Sequence, residues 1–250
     1  MNDVDIRKYI DFLKRHDVRE KLEVLYPMVL GCMNNLDHGK RFLPKEKFLE
    51  DFNKWKDSEY EDFVFIPEFT LGDIIPDESM VDVKFIPLMS SMVDMERGDE
   101  VYFWVIQLHN DLPIFNGKRV NGLCRTTSRI PIKDGIEDNR KSLTVSCLIF
   151  GDKRSFSSAF PHLIRHELTH SIITIINSVD DAIINITDNE GDEFTITEFS
   201  EFIADLLPYY TIHGNDGLSK FREALYVSIN PTYSSLYDKI LNKLSTMGNL

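Results

Sequence analysis

The sequence predicts an α+β fold, with helices before and after a sheet, on three observations. Over roughly the first sixty residues, apolar side chains recur every three or four positions. Between about residues 62 and 151 the pattern changes to short β-branched and aromatic runs broken by Gly, Asp and Asn clusters. After Gly151 the helical period returns. Strands grouped between helices, rather than alternating with them, point to α+β and not to a parallel α/β sheet.

Taken in order, "IRKYIDFLKRHDVREKLEVLYPMVLGCM" carries the first helical pattern, and "KEKFLEDFNKWKD" continues it after Pro44. Residues 1–60 therefore read as an N-terminal helical segment, and 61–250 as the main domain, the two forming one compact unit. The strand candidates are "DFVFIPEF", "VDVKFIPLM", "EVYFWVIQL", "NGLCRTTSRIPI" and "SLTVSCLIF", with "LGD", "ERGD", "FNGK" and "KDGIEDN" as turns. "SSAFPHLIRHELTHSIITII" is the next helix. Ser157 or Ser158 can cap it, and Pro161 fits the first turn, where its missing N–H costs nothing. "AIINITDNEGDEFTIT" can form an acidic hairpin, "TEFSEFIADLLPYY" a further helix, and "DGLSKFREALYVSI" and "YSSLYDKILNKLS" the C-terminal helices.

A net charge of −13 argues against a general nucleic-acid binder and against binding to an anionic membrane, since both need a basic footprint. Three scattered cysteines, Cys32, Cys124 and Cys147, with no CxxC pair suggest neither a disulfide framework nor a thiolate metal site. The start of the chain is charged throughout, and no apolar run reaches the ~18 residues that a membrane span needs. The expectation is a soluble protein of a reducing compartment, the cytoplasm.

The chemistry is concentrated in "HELTH". His166 and His170 stand four residues apart, on one face of a helix and one turn from each other, a spacing that lets two imidazoles share one zinc ion, Zn2+. Glu167, beside the first histidine, then lies close to a zinc-bound water and can take its proton as general base. His162, one turn earlier, is too far to join. Three histidines at this spacing span ~12 Å of straight helix, so His162 reads as a polar residue of the first turn. A catalytic zinc needs a third protein ligand. On the later helix Glu198, Glu201 and Asp205 fall within a ~60° arc beside the apolar residues Phe199, Phe202, Ile203 and Leu206. Either glutamate can supply that ligand.

His166-Glu167-x-x-His170 followed by Glu201-Phe202-Ile203-Ala204-Asp205 resembles the gluzincin metallopeptidases, several branches of which carry E-x-x-A-D on the helix after the active-site helix. The following "DLLP" is similar to the ImmA/IrrE-type zinc peptidases, and the thermolysin branch has a related E-x-x-x-D. The resemblance covers about residues 118–210. It implies a zincin-like mixed twisted sheet packed on the active-site helix, with His166, His170 and Glu201 as zinc ligands and Glu198 as the alternative. Glu167 would be the catalytic base, and Asp205 the acceptor for a ligand histidine's second N–H. It also implies an exposed edge strand, Asn121, Gly122, Leu123, Cys124, Arg125 and Thr126, along which a peptide substrate lies extended. Thr169 departs from the glycine of many members' HExGH.

Tyr209, Tyr210 and His213 follow the second motif and are candidates to hydrogen-bond a developing oxyanion, although amphipathic packing is the better account of each. "DNEGDE", residues 188–193, lacks EF-hand spacing and reads as a solvated turn. The expectation is thus a zinc endopeptidase acting on a protein or peptide, with no nucleic-acid or membrane partner and an oligomeric state that the sequence does not set. Two alternatives stand beside it: a non-catalytic zincin-fold interaction or regulatory protein, and a chance HExxH.

Overall fold

The computed structural model describes residues 1–35, 43–44, 63–66, 80–88, 100–108, 114–115, 118–119, 122–133, 136–137, 143–150, 160–179, 186–227 and 231–248. The expected helix over "KEKFLEDFNKWKD", the boundary at residue 60, the caps Ser157 and Ser158, and Asn121 lie outside them. The α+β expectation, a zincin-like mixed twisted sheet packed on the active-site helix, is corrected. Of the residues placed with their side chains, 82% are helical, and no sheet layer stands among them. Among the described residues, the buried side chains lie on helices or in the loops that flank them. The physical reason lies in the part formed by Met1–Val24 with Ile176–Leu250, where the apolar faces of the helices close on one another through aromatic rings.

Two compact units divide the chain, Met1–Val24 with Ile176–Leu250, and Leu25–Ile175. The first opens with α1, Asp3–Arg15. The Asn2 side chain accepts the backbone N–H groups of Val4 and Asp5, both at 3.0 Å, and so satisfies two otherwise orphaned donors. Asp3 and Asp5 in the first turn, and Lys14 and Arg15 in the last, complement the helix dipole. Ile6, Tyr9 and Phe12 form the buried face. Asp17, in the left-handed region at φ 47°, turns the chain into α2, Val18–Asn35.

The unit resumes with a turn in which Asp192 Oδ2 accepts the Asn189 N–H at 2.8 Å and Gly191 takes φ 91°. The acidic hairpin expected here is a turn and coil over residues 186–195, with no strand among them. Three helices follow: Ile196–His213, Gly217–Val227 and Pro231–Thr246. With Phe160–Val179 as α3, these are α4, α5 and α6. Gly217 is needed for a close approach, since a Cβ there would lie 2.7 Å from the Tyr210 backbone. The core is aromatic. Phe199 and Phe202 of α4 sit among Tyr9, Phe194, Phe221 and Tyr237, with neighbouring ring centroids 5.3 to 6.0 Å apart. Each such ring contributes about 1.5–3 kcal/mol by burial.

In the second unit the backbone between α2 and α3 pairs as strands: β1 Leu43–Pro44, β2 Phe63–Ile66, β3 Met80–Leu88, β4 Glu100–Leu108, β5 Ile114–Phe115, β6 Lys118–Arg119, β7 Gly122–Lys133, β8 Ile136–Glu137 and β9 Leu143–Phe150. The order is β1-β3-β4-β9-β7-β2, with β8 on β7 and a separate β5-β6 ribbon. β4 and β9 are parallel, and the other pairs antiparallel. β7 pairs with β9 from Gly122↔Phe150 to Arg129↔Leu143, whereas β2 covers only Ser128 to Pro131 on its other side. No helix among the described residues is long and apolar enough to cross a membrane.

Candidate metal centre

α3 carries HELTH on a helix whose buried residues Ile164, Leu168 and Ile172 repeat every four positions. His166 and His170 are half-buried beside that stripe. Their Nε2 atoms lie 3.1 Å apart, and the rings meet edge to face with centroids 4.7 Å apart. Two nitrogens bound to one tetrahedral zinc at ~2.0–2.1 Å stand ~3.3 Å from each other, so the pair is spaced as zinc requires. His162, half-buried in the first turn, lies a further turn back along the helix.

Glu167 is 4% exposed, an unusual place for a carboxylate. Its neighbours are fixed by short bonds. Thr169 Oγ1 donates to the Arg165 carbonyl at 2.7 Å, and Ser171 Oγ to the Glu167 carbonyl at 2.9 Å, which satisfies two buried hydroxyls within the helix. Thr169, where glycine was the alternative, is thus accommodated with no contact to solvent. Ser171 Oγ also lies 2.9 Å from Cys124 Sγ on β7. One strand position pair earlier, Gly122 abuts the Glu167 side chain. The Arg165 guanidinium stacks over the Tyr26 ring, 3.2 Å from its centroid, and burial lowers its pKa.

On α4 the Thr195 hydroxyl accepts the Glu198 N–H at 3.1 Å, and Glu198 Oε2 accepts the Thr195 N–H at 2.7 Å. This capping box gives the Glu198 carboxylate a task at the helix start. Glu201 and Asp205 follow one turn apart. Tyr237 Oη on α6 donates to Asp205 Oδ2 at 2.7 Å. Burial, and then the nearby Asp205 carboxylate, push the Tyr237 phenol far above its ordinary value, so it remains a donor. Sequence reasoning missed Tyr237. No motif marks it, and the one available signal was that a tyrosine on the apolar face of an amphipathic helix needs a hydrogen-bond partner.

α4 runs through Pro208 to His213. The Tyr209 ring packs edge-on against Phe221 at 5.4 Å, and burial raises its pKa. Tyr210 lies under the Arg19 guanidinium at 5.8 Å, its pKa also raised by burial. His213 is exposed in the last turn. Among the described residues, one group could hold a metal: His166, His170 and Glu201 each offer a ligand atom, all within 4.8 Å of one another. Two imidazoles and a carboxylate are a donor set that suits zinc. Leu123, Cys124, Arg125 and Thr126 lie in β7, paired on one side with β9.

Comparison of the chain with protein-family models, with curated proteins and with solved structures gives no match.

Proposed function

We propose that this protein is a zinc-dependent metallopeptidase, an endopeptidase with zinc held by His166, His170 and Glu201 and with Glu167 as general base. The observation that carries the reading is the gathering of those three ligand atoms within 4.8 Å, with the carboxylate of the next residue in HELTH almost fully buried. A bound zinc supplies Lewis acidity and lowers the pKa of a water. Glu167 would take a proton from the water that attacks the carbonyl carbon and give it to the amine that leaves as the carbon–nitrogen bond breaks. Asp205 accepts the Tyr237 hydroxyl, and by the family resemblance it would be the acceptor for a ligand histidine's second N–H. Tyr209, Tyr210 or His213 would be the donor to a developing oxyanion.

The substrate is a protein or peptide, bound extended along Gly122–Thr126 through main-chain hydrogen bonds on the side away from β9. β2 pairs with β7 at Ser128 to Pro131, beyond this segment. The net charge of −13 disfavours nucleic acid, and cysteines without a pairing pattern fit the cytoplasm.

The test is metal analysis of the purified protein together with cleavage of a mixed peptide library by wild type and Glu167→Gln. Glu167→Gln keeps stoichiometric zinc and loses ~10²- to 10⁴-fold in turnover, because the amide cannot accept the proton. Equal turnover removes Glu167 from the mechanism. Bound zinc with no cleavage by wild type leaves a metal-stabilised interaction protein instead.

A further inference from the structure

We propose that Gly122 is a positioning residue for the general base: the side chain absent at this position is the space in which the Glu167 carboxylate stands. The inference rests on the peptidase reading and deepens it. A Cβ placed on Gly122 would overlap Glu167 Oε1 and lie 2.9 Å from Cδ and 3.0 Å from Cγ. The backbone gives no other reason for glycine. Gly122 opens β7, paired with Phe150, and is not among the glycines with positive φ. Any L residue could adopt its conformation, and an alanine would favour the strand.

The carboxylate is enclosed, and the atom nearest Gly122 is the flexible end of its side chain. Glu167 is 4% exposed, and its helix is held to the same strand two residues on, where Cys124 Sγ meets Ser171 Oγ at 2.9 Å. Successive side chains on one face of a strand lie two residues apart, so Gly122 and Cys124 face α3 together. A methyl at residue 122 therefore swings the end of the glutamate side chain and leaves the strand and helix in place. The fold tolerates such a movement. A proton acceptor does not, because a displacement of about 1 Å at a reacting group can remove ~10²-fold in rate. The two roles of the position separate cleanly: small for stability, large for chemistry.

The experiment compares wild type, Gly122→Ala, Glu167→Gln and the double variant, each loaded with zinc for peptide-library cleavage and with cobalt(II) for its visible spectrum. Gly122→Ala is expected to keep the metal and the melting temperature, and to lower kcat ~10²-fold with KM unchanged. Its cobalt spectrum should move to that of Glu167→Gln, since both variants take the acceptor away from the metal's open position. The double variant should be no slower than Glu167→Gln alone, the mark of one residue acting through the other. Wild-type turnover and spectrum in Gly122→Ala overturn the inference, as does an additive loss in the double variant. If Gly122→Ala fails to fold, Gly122→Ala with Glu167→Ala should fold, because the overlap is gone, and misfolding of that pair also overturns it. A wild type that takes up neither metal overturns the peptidase reading itself, whatever Gly122→Ala does.

Discussion

Helices α3 and α4 are close in length, 20 and 18 residues, and use their polar residues in opposite ways. On α4 the start is closed by a capping box, the face is built from Phe199, Phe202, Ile203 and Leu206, all at 5% exposure or less, and the acids stand beside that face. On α3 three polar residues go inside: Glu167, Thr169 and Ser171. The two hydroxyls are satisfied by carbonyls one turn back. Glu167 is a carboxylate at 4% exposure, and taking a carboxylate out of water costs more than taking out a hydroxyl. A helix that stabilises itself and presents its acids is a platform. A helix that buries an acid among its apolar residues is organised for something other than packing.

The strongest way to break this comparison is to remove the platform. Phe202 is fully buried, with Tyr237 at 5.4 Å, Phe221 at 5.7 Å and Phe199 at 6.0 Å around its ring. Phe202→Ala should lower unfolding stability by about 3–5 kcal/mol, measured by urea denaturation, since rigid rings on every side cannot collapse into the void. A loss below about 1 kcal/mol would mean that the aromatic cluster is not the core.

The two helices were also unequally legible. The histidine pair and its glutamate can be read because their spacing is itself the chemistry: four residues are one turn, and one turn sets two imidazoles at a metal's separation. Glu201 and Asp205 could be placed on one arc, but that Glu198 serves the helix start depends on Thr195, whose cap engages it. Tyr237 could not be found, because its partner Asp205 lies 32 residues away and helix-to-helix pairing leaves no local pattern. The fold class was misjudged for a related reason. Periodicity reports the secondary structure of each run, not which runs cover each other, and the core placed here is helix on helix.

Raising the pH tests the same platform by another route. Burial raises the Tyr9 phenol from 10.0 to about 12, against a smaller opposing effect of its hydrogen bond to Ser200. A folded-state pKa above the unfolded one means stability that is complete below pH about 10 and lost as pH climbs toward about 12. Two pKa units correspond to roughly 2–3 kcal/mol. Tyr237, shifted in the same direction, adds to the trend. Wild type should therefore destabilise across this window, and Tyr9→Phe, which keeps the ring against Phe199, should do so less steeply. Equal slopes would show that Tyr9 ionises without opening the core.

The smallest effect separates the two helices most sharply. Thr195→Ala removes the hydroxyl that accepts the Glu198 N–H and leaves Glu198 with half of its capping box. N-cap losses of this kind cost about 0.5–2 kcal/mol, so a modest fall in melting temperature is expected. The metal site gives the discriminating readout. If Glu198 belongs to the cap, zinc content and affinity stay at the wild-type level both in Thr195→Ala and in Glu198→Gln. If Glu198 were the ligand, Glu198→Gln would lose the metal while Thr195→Ala kept it. Calorimetry paired with a zinc-chelator competition distinguishes these patterns. Loss of zinc in Glu198→Gln would move the third ligand one turn back along α4 and detach Glu201 from the site.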